Sequence, residues 1–221
     1  MKKKLANYNH KFNIFGRKKG KKISNKINSE IIKKYLFNFS SDINNNNIIL
    51  DIGSGNGENT LYLSNKYPDY LIVASEVYED GIINLCNNLS NRGINNVKIY
   101  NSNVLLLIQK IIYKNYIKEI WILFPDPWEK KRHKKRRLIN SSFIKKVSFI
   151  LSKKNRIHIA TDSRSYFISI LKQFYESGLF RWVNALPSDW DYGVNTNFKT
   201  RYFEKALISN KKSFFLIFEK I

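Results

Sequence analysis

Brief apolar runs alternate with amphipathic stretches along most of this chain. Residues 48–52 (IILDI), 70–75, 96–100, 120–124 and 156–160 are short and rich in Ile, Val, Tyr and Phe, the pattern of strands buried on both faces. Among them, residues 58–66, 79–91, 104–113, 141–151 and 164–176 carry apolar positions at helical spacing. Two last strands, residues 181–185 and 213–218, are separated by a long polar connection. Five strand–helix units followed by a strand pair predict an α/β fold: a doubly wound, mostly parallel seven-stranded sheet ending in a hairpin-like pair. Upstream, Ser29 is placed to cap a helix whose apolar face carries Ile31, Ile32, Tyr35, Leu36 and Phe39. An asparagine run at 44–47 marks the edge of the main domain. The chain of 221 residues suits one α/β domain, residues 29–221, behind a basic flexible arm, residues 1–28.

Charge singles out one stretch, residues 120–139 (IWILFPDPWEKKRHKKRRLI). Pro125 and Pro127 stop the fourth strand and stiffen the turn between them, so Asp126 is held just past the strand's carboxyl end, where open α/β sheets bind ligands. Seven of the ten residues at 128–137 are Lys or Arg, with Glu129 the only acid. The whole chain has 39 Lys and Arg against 17 Asp and Glu, a formal charge of +22. Its Lys, Asn and Ile content also fits a coding bias that raises lysine everywhere. Clustering argues against bias alone, because residues 1–22 hold nine further basic residues and no acid. Two dense basic segments favour a nucleic-acid partner, with affinity drawn from released counterions. The arm is either a solvated tail or a segment that orders along a nucleic-acid backbone. His133 has no Cys or His partner at metal spacing, so no metal is expected. Trp128 either stacks on a base or packs as a lid over the turn.

A single cysteine, Cys86, excludes an internal disulfide framework and fits a reducing compartment. It reads as a small buried hydrophobe. There is no apolar run of membrane-spanning length and no secretory leader, which points to the cytoplasm.

The loop DIGSGNG (51–57) carries the cofactor argument. Glycines at 53, 55 and 57 between a buried strand and a helix allow a tight turn and a close approach of backbone to ligand. No Gly-Lys-Ser/Thr follows, and Asn59 and Thr60 stand where a dinucleotide fingerprint wants its third glycine. Asp51 at the strand end suits a cationic amino-acid moiety better than a pyrophosphate. Glu76, at the end of the second strand, is placed to accept hydrogen bonds from ribose hydroxyls. Together these favour S-adenosylmethionine over NAD.

DIGSGNG, SEVYEDGI, FPDPWEKKRHKKRR, IHIATD and TRYFE, in this order and spacing, resemble the bacterial tRNA (guanine-N7-)-methyltransferases. FPDPW joined to the basic cluster is the specific part. The resemblance implies a Rossmann-like class I methyltransferase that methylates N7 of guanine 46 in the tRNA variable loop, with S-adenosylmethionine as donor and no metal. It implies tRNA as partner, with the protein a monomer or homodimer. Asp51, Gly53, Gly55, Glu76, Asn103 and Asp126 are the implied cofactor contacts, and Asp126 also the acidic active-site residue. Lys130, Asp162, Thr200, Arg201, Tyr202 and Phe203 are the implied substrate contacts. Two positions depart from the family pattern. Asn103-Val104 stands where Asp-Ala is usual, and the tetrapeptide from Thr200 ends in Phe203 rather than Glu, with Glu204 one place late. Either the register slips there by one or that carboxylate is missing. Plainer readings stand beside these: Asp126 capping its turn, and Asp162 capping the helix that follows it. A different methyltransferase, or an RNA-binding protein on a decayed methyltransferase fold, are the other functions the residues allow.

Overall fold

The computed structural model describes residues 29–42, 47–186, 188–189 and 200–221; the basic arm at 1–28 lies outside the described residues. Strands β1 (Ile48–Ile52), β2 (Leu71–Ser75), β3 (Val97–Tyr100), β4 (Ile117–Leu123), β5 (Leu151–Thr161), β6 (Phe180–Trp182) and β7 (Phe214–Lys220) form one sheet in the order β3-β2-β1-β4-β5-β7-β6. The first five run parallel, and β7 lies antiparallel between β5 and β6. The expected doubly wound sheet and its antiparallel end are both present.

Alternate strand residues feed two cores. Helices α4 (Val104–Lys110), α5 (Ser141–Ile150) and α6 (Arg164–Ser177) cover the face that carries Leu50, Ile120, Ile122, Ile157 and Leu216. Helices α1 (Ser29–Tyr35), α2 (Glu58–Lys66) and α3 (Glu79–Asn91) cover the face of Ile49, Ile72, Ala74 and Trp121. All five residues of β1 and of β2 are buried, so each Ile, Leu or Val there contributes roughly 2 kcal/mol over its exposed state. Cys86 is fully buried among Leu85, Leu89 and their neighbours, and burial pushes its thiol up to about 11, so it is an inert part of the core.

The structure differs from the sequence pattern mainly at the ends of elements. β5 starts at Leu151 rather than 156: Leu151 pairs with Ile117, and the register shifts across the polar residues 152–155 before Arg156 pairs with Glu119. β4 likewise starts at Ile117 and ends before Phe124. Helix α4 stops at Lys110, short of 113. Helix α1 stops at Tyr35 rather than Phe39: Leu36 then bridges Ile99 in parallel, and Phe37 N donates to Ile99 O at 2.9 Å. This short extended piece covers part of the β3 edge. Phe37 and Phe39 pack edge-on against each other and against Tyr100. The long polar connection before β7 contains helix α7 (Arg201–Ile208), of which only Ala206 is buried, so its helical periodicity leaves little apolar trace.

Candidate active site

The chain winds from β1 through β2 to β3 on one side, then returns to place β4 on the other side of β1. Loops leaving the carboxyl ends of β1 and β4 therefore diverge and open a crevice at this switch point. Register sets Ile52 beside Ile122 and Leu123 beside Ala160. The glycine loop, the FPDPW turn and Asp162 thus leave neighbouring strands along one edge of the sheet.

The glycine loop is held from below by two carboxylates. Asp51 is buried, and its two oxygens accept from Asn59 Nδ2 at 2.9 Å and Thr60 Oγ1 at 2.6 Å. The residues that spoil a dinucleotide fingerprint are thus the donors that Asp51 requires. Burial raises its carboxyl to about 6, partly offset by those two hydrogen bonds. Glu76 Oε2 accepts from Gly55 N at 2.8 Å, and Oε1 from Val77 N at 2.6 Å and Tyr78 N at 2.9 Å. Three of the roughly four acceptor sites of this carboxylate are therefore committed to backbone, leaving about one for a ligand hydroxyl. Gly53 and Gly55 have φ of +72° and +57°, and nothing lies within 4 Å of where their side chains would stand. Ser54 Oγ and Asn59 Oδ1 are buried with no hydrogen-bond partner among the described residues. An open glycine cradle lined by orphaned polar atoms fits a ligand that presses against loop backbone. Gly81, at the start of α3, supports the cradle from behind: a Cβ there would lie 2.3 Å from Gly55 O.

The FPDPW turn is strained at both ends. Phe124 and Trp128 have φ of 51° and 42°, which for aromatic residues costs on the order of 1–3 kcal/mol each and persists only where surroundings enforce it. Phe124 N donates to Ala160 O at 2.8 Å. At the other end Arg137, buried to 6% exposure, donates from Nε to Pro127 O at 2.8 Å. Its two terminal nitrogens donate to Ser165 O at 3.2 Å and Ser165 Oγ at 2.7 Å, and its guanidinium lies over the Tyr166 ring. Glu129 accepts from the hydroxyls of Ser163 and of Ser165, the latter at 2.8 Å, and these bonds hold its carboxyl below the usual range. The turn is thereby fastened to the start of α6. Between these anchors Asp126 is exposed and makes no hydrogen bond to another described residue. Partial desolvation raises its carboxyl above the usual value. Trp128 is packed by the edge of His133 and by the Arg136 guanidinium at 5.0 Å, as a lid would be.

Helix α7 spans the crevice. Thr200 Oγ1 caps it by accepting from Phe203 N at 3.1 Å. Arg201 lies 3.9 Å from the Glu58 carboxylate. With the Asn56 amide oxygen turned toward it, Arg201 donates to that oxygen from both terminal nitrogens, at 2.8 and 2.6 Å. Tyr202 and Phe203 pack on Phe124 at 6.4 and 6.5 Å between ring centroids, and Phe203 also meets Phe215. The Tyr202 hydroxyl is raised by desolvation and then by the Asp126, Glu76 and Glu58 carboxylates.

The sequence profile of a family described as putative methyltransferases matches residues 45–216. The tRNA (guanine-N(7)-)-methyltransferase of Buchnera aphidicola subsp. Schizaphis graminum is 33% identical over 78% of this chain and 72% of its own length. The chain belongs to that family. The protein of the same description from Neorickettsia sennetsu is 39% identical, over 60% of this chain and 58% of its own length. Among solved structures, an rRNA methylase from Streptococcus thermophilus matches with TM-score 0.52 and 18% identity, over 87% of this chain and 93% of that one. A putative methyltransferase from Streptococcus mutans in complex with SAH matches with TM-score 0.52 and 16% identity, over 87% and 94%. These two likenesses concern the fold.

Within this tRNA methyltransferase family member, most residues singled out from sequence converge on the crevice, and a few take on other tasks. Asn103 caps α4, its Oδ1 accepting from Leu105 N at 2.9 Å. Asp162 does not cap α6; Ser163 does, and Asp162 lies 3.9 Å from Lys211 Nζ. Lys130 is exposed at the start of a 3-10 turn, Lys131–Arg136, that presents the basic cluster to solvent. In ungapped register Phe203 points into the aromatic cluster while Glu204 is exposed. Sequence reasoning missed Arg137, which it counted as one more surface charge, together with Glu129, Ser163 and Ser165. It also missed Gly81, although an isolated glycine inside a helical pattern signals a close backbone approach.

Proposed function

We propose that this protein transfers a methyl group from S-adenosyl-L-methionine to N7 of a guanine in the variable loop of tRNA, in the cytoplasm. The observation that carries the reading is Asp126, a carboxylate with no hydrogen-bond partner among the described residues, held by a strained and pinned turn at the switch-point crevice beside an open glycine cradle. Gly53, Gly55, Asp51, Glu76 and Asn103 would hold the cofactor, with Asp51, ionised above about pH 6, supplying negative charge beneath a cationic ligand. When bound, the cofactor supplies an electrophilic methyl on a sulfonium and departs as a neutral thioether. Guanine N7 already presents an in-plane lone pair, so no strong base is needed. Positive charge passes to the purine as the N–C bond forms. Asp126 orients the base through its Watson–Crick edge and stabilises that charge, while alignment supplies much of the rate. Lys130, Asp162 and the residues from Thr200 to Phe203 line the approach for RNA. No helix among the described residues is long and apolar enough to cross a membrane.

The test is transfer of label from S-adenosyl-L-methionine to unmodified bulk tRNA, followed by nucleoside analysis. Labelled 7-methylguanosine is the expected product. A protein that binds tRNA and yields no methylated nucleoside overturns the reading.

The cradle makes a second prediction. Gly81→Ala favours the helix by about 1 kcal/mol on propensity alone. It also forces a methyl group against Gly55 O, so the loop must move. The variant is expected to stay folded and to bind S-adenosyl-L-methionine at least about tenfold more weakly, measured by calorimetry, because orientation and fit at the loop are lost. Wild-type affinity would show that the loop tolerates the displacement.

A further inference from the structure

The two helical layers differ in charge. Across α4, α5 and α6 there are five basic residues, Lys110, Lys145, Lys146, Arg164 and Lys172, against the single acid Glu176. Glu176 is itself 3.6 Å from Lys172. Across α1, α2 and α3 there are three basic residues, Lys33, Lys34 and Lys66, against four acids, Glu30, Glu58, Glu79 and Asp80. The helices thus carry 5 − 1 = +4 on one face of the sheet and 3 − 4 = −1 on the other. A coding bias toward lysine acts on both layers alike, and most of the difference lies in the acids, one against four.

The positive charge of the first layer continues past its helix ends. At the end of the sheet opposite Asp126, the first layer is followed by exposed Lys114, Lys153 and Lys154. Lys114 and Lys153 stand close enough to Lys220 to lower its ammonium after burial has done so first. Lys220 is buried there, donating to Asn115 Oδ1 at 3.0 Å and Leu151 O at 2.7 Å. Exposed aromatic residues lie among these charges: Tyr113, Phe149 and, at 89% exposure, Tyr175. Basic side chains interleaved with exposed rings are the chemistry of a surface for single-stranded or loop RNA. The strip is also continuous with the active site. Helix α5 begins at Ser141, just beyond the basic turn, and its ten residues cover about 15 Å toward the far end of the sheet.

We propose that the RNA lies along the α4–α5–α6 layer, its phosphates passing from the basic turn by Lys145 to Lys114 and Lys153 at the opposite end of the sheet. This placement rests on the tRNA-modifying reading above. It assigns the α1–α2–α3 layer to solvent and leaves target selection to the residues in the crevice.

Two double variants of exposed residues, equal in charge removed, test it: Lys145→Gln with Lys153→Gln, and Lys33→Gln with Arg92→Gln on the opposite layer. Binding of unmodified tRNA is titrated by anisotropy from low to moderate salt, a readout independent of methyl transfer. The first pair is expected to flatten the slope of log affinity against log salt by about 1.4, at roughly 0.7 per lost single-strand phosphate contact. It should also raise KM for tRNA and leave kcat unchanged. The second pair should leave the slope as in wild type. Equal slopes for the two pairs, or a larger change from the second, overturn the placement. Absence of 7-methylguanosine from wild type, with the slopes still differing, would remove the catalytic reading and keep the surface.

Discussion

Asp126→Ala lowers single-turnover methyl transfer by about 10²–10³-fold, the scale of losing one preorganised group that acts on charge in the transition state. Two observations make the loss catalytic rather than structural. Asp126 is exposed, and no described residue donates a hydrogen bond to it, so its removal breaks no hydrogen bond among the described residues. Its carboxyl is moreover raised by desolvation, which means that folding holds this charge at a cost. The variant should therefore melt at the wild-type temperature or slightly above. Asp126→Asn keeps a hydrogen-bonding side chain and removes the charge. If stabilising the cationic purine dominates, it should fall within about tenfold of the alanine variant. An asparagine variant with near wild-type turnover would instead assign Asp126 to orientation alone. A loss confined to KM for tRNA would move it out of the chemistry altogether.

The architecture was legible because β1, β2 and β3 lie in a parallel sheet covered on both faces, where nearly every position is apolar and the run stands out from its surroundings. Legibility stops where an element includes a stretch without buried apolar side chains. Lys153 and Lys154 belong to β5, and Thr200 starts a helix whose one buried residue is Ala206. Site residues divide in the same way. Asp51, the loop glycines and Asp126 are marked by their position between strand ends and helix starts, which a linear reading sees. What they touch is not visible. Glu76 looks from sequence like a ligand for hydroxyls, yet three backbone amides occupy most of its acceptor capacity. Phe203 looks like a lost carboxylate, whereas its ring joins Phe124 and Phe215 in holding α7 over the crevice. Arg137 is the clearest case. Seven Lys and Arg in ten residues read as one uniform phosphate track, and only the fold turns the last of them inward.

That inward turn gives the second large effect expected. Arg137→Ala removes the donors to Pro127 O and to Ser165, and takes away a positive charge that helps keep the Glu129 carboxyl low. Bonds from a charged donor are worth about 1.5–3 kcal/mol each in net terms and do not add fully when one guanidinium makes all of them, so a stability loss of about 3–5 kcal/mol, the scale of breaking a buried charged cluster, is expected from denaturant unfolding. With its rear anchor gone, the turn can relax the left-handed backbone at Trp128, and Asp126 shifts with it. A displacement of about 1 Å at a reacting group costs on the order of 10²-fold in rate, so kcat should fall by about that factor at temperatures where the variant is folded. Arg137→Lys keeps the charge but cannot bond Pro127 O and Ser165 together, and should recover stability more than turnover. Salt separates this role from the one suggested by composition. Because Arg137 is buried against protein acceptors, its loss should leave the salt dependence of tRNA binding unchanged, whereas removing exposed Lys131 or Lys134 should flatten it. If Arg137→Ala instead flattened the slope with kcat intact, the residue would belong to the phosphate track after all, and the prolines, the Phe124–Ala160 bond and Glu129 would suffice to hold the Asp126 turn.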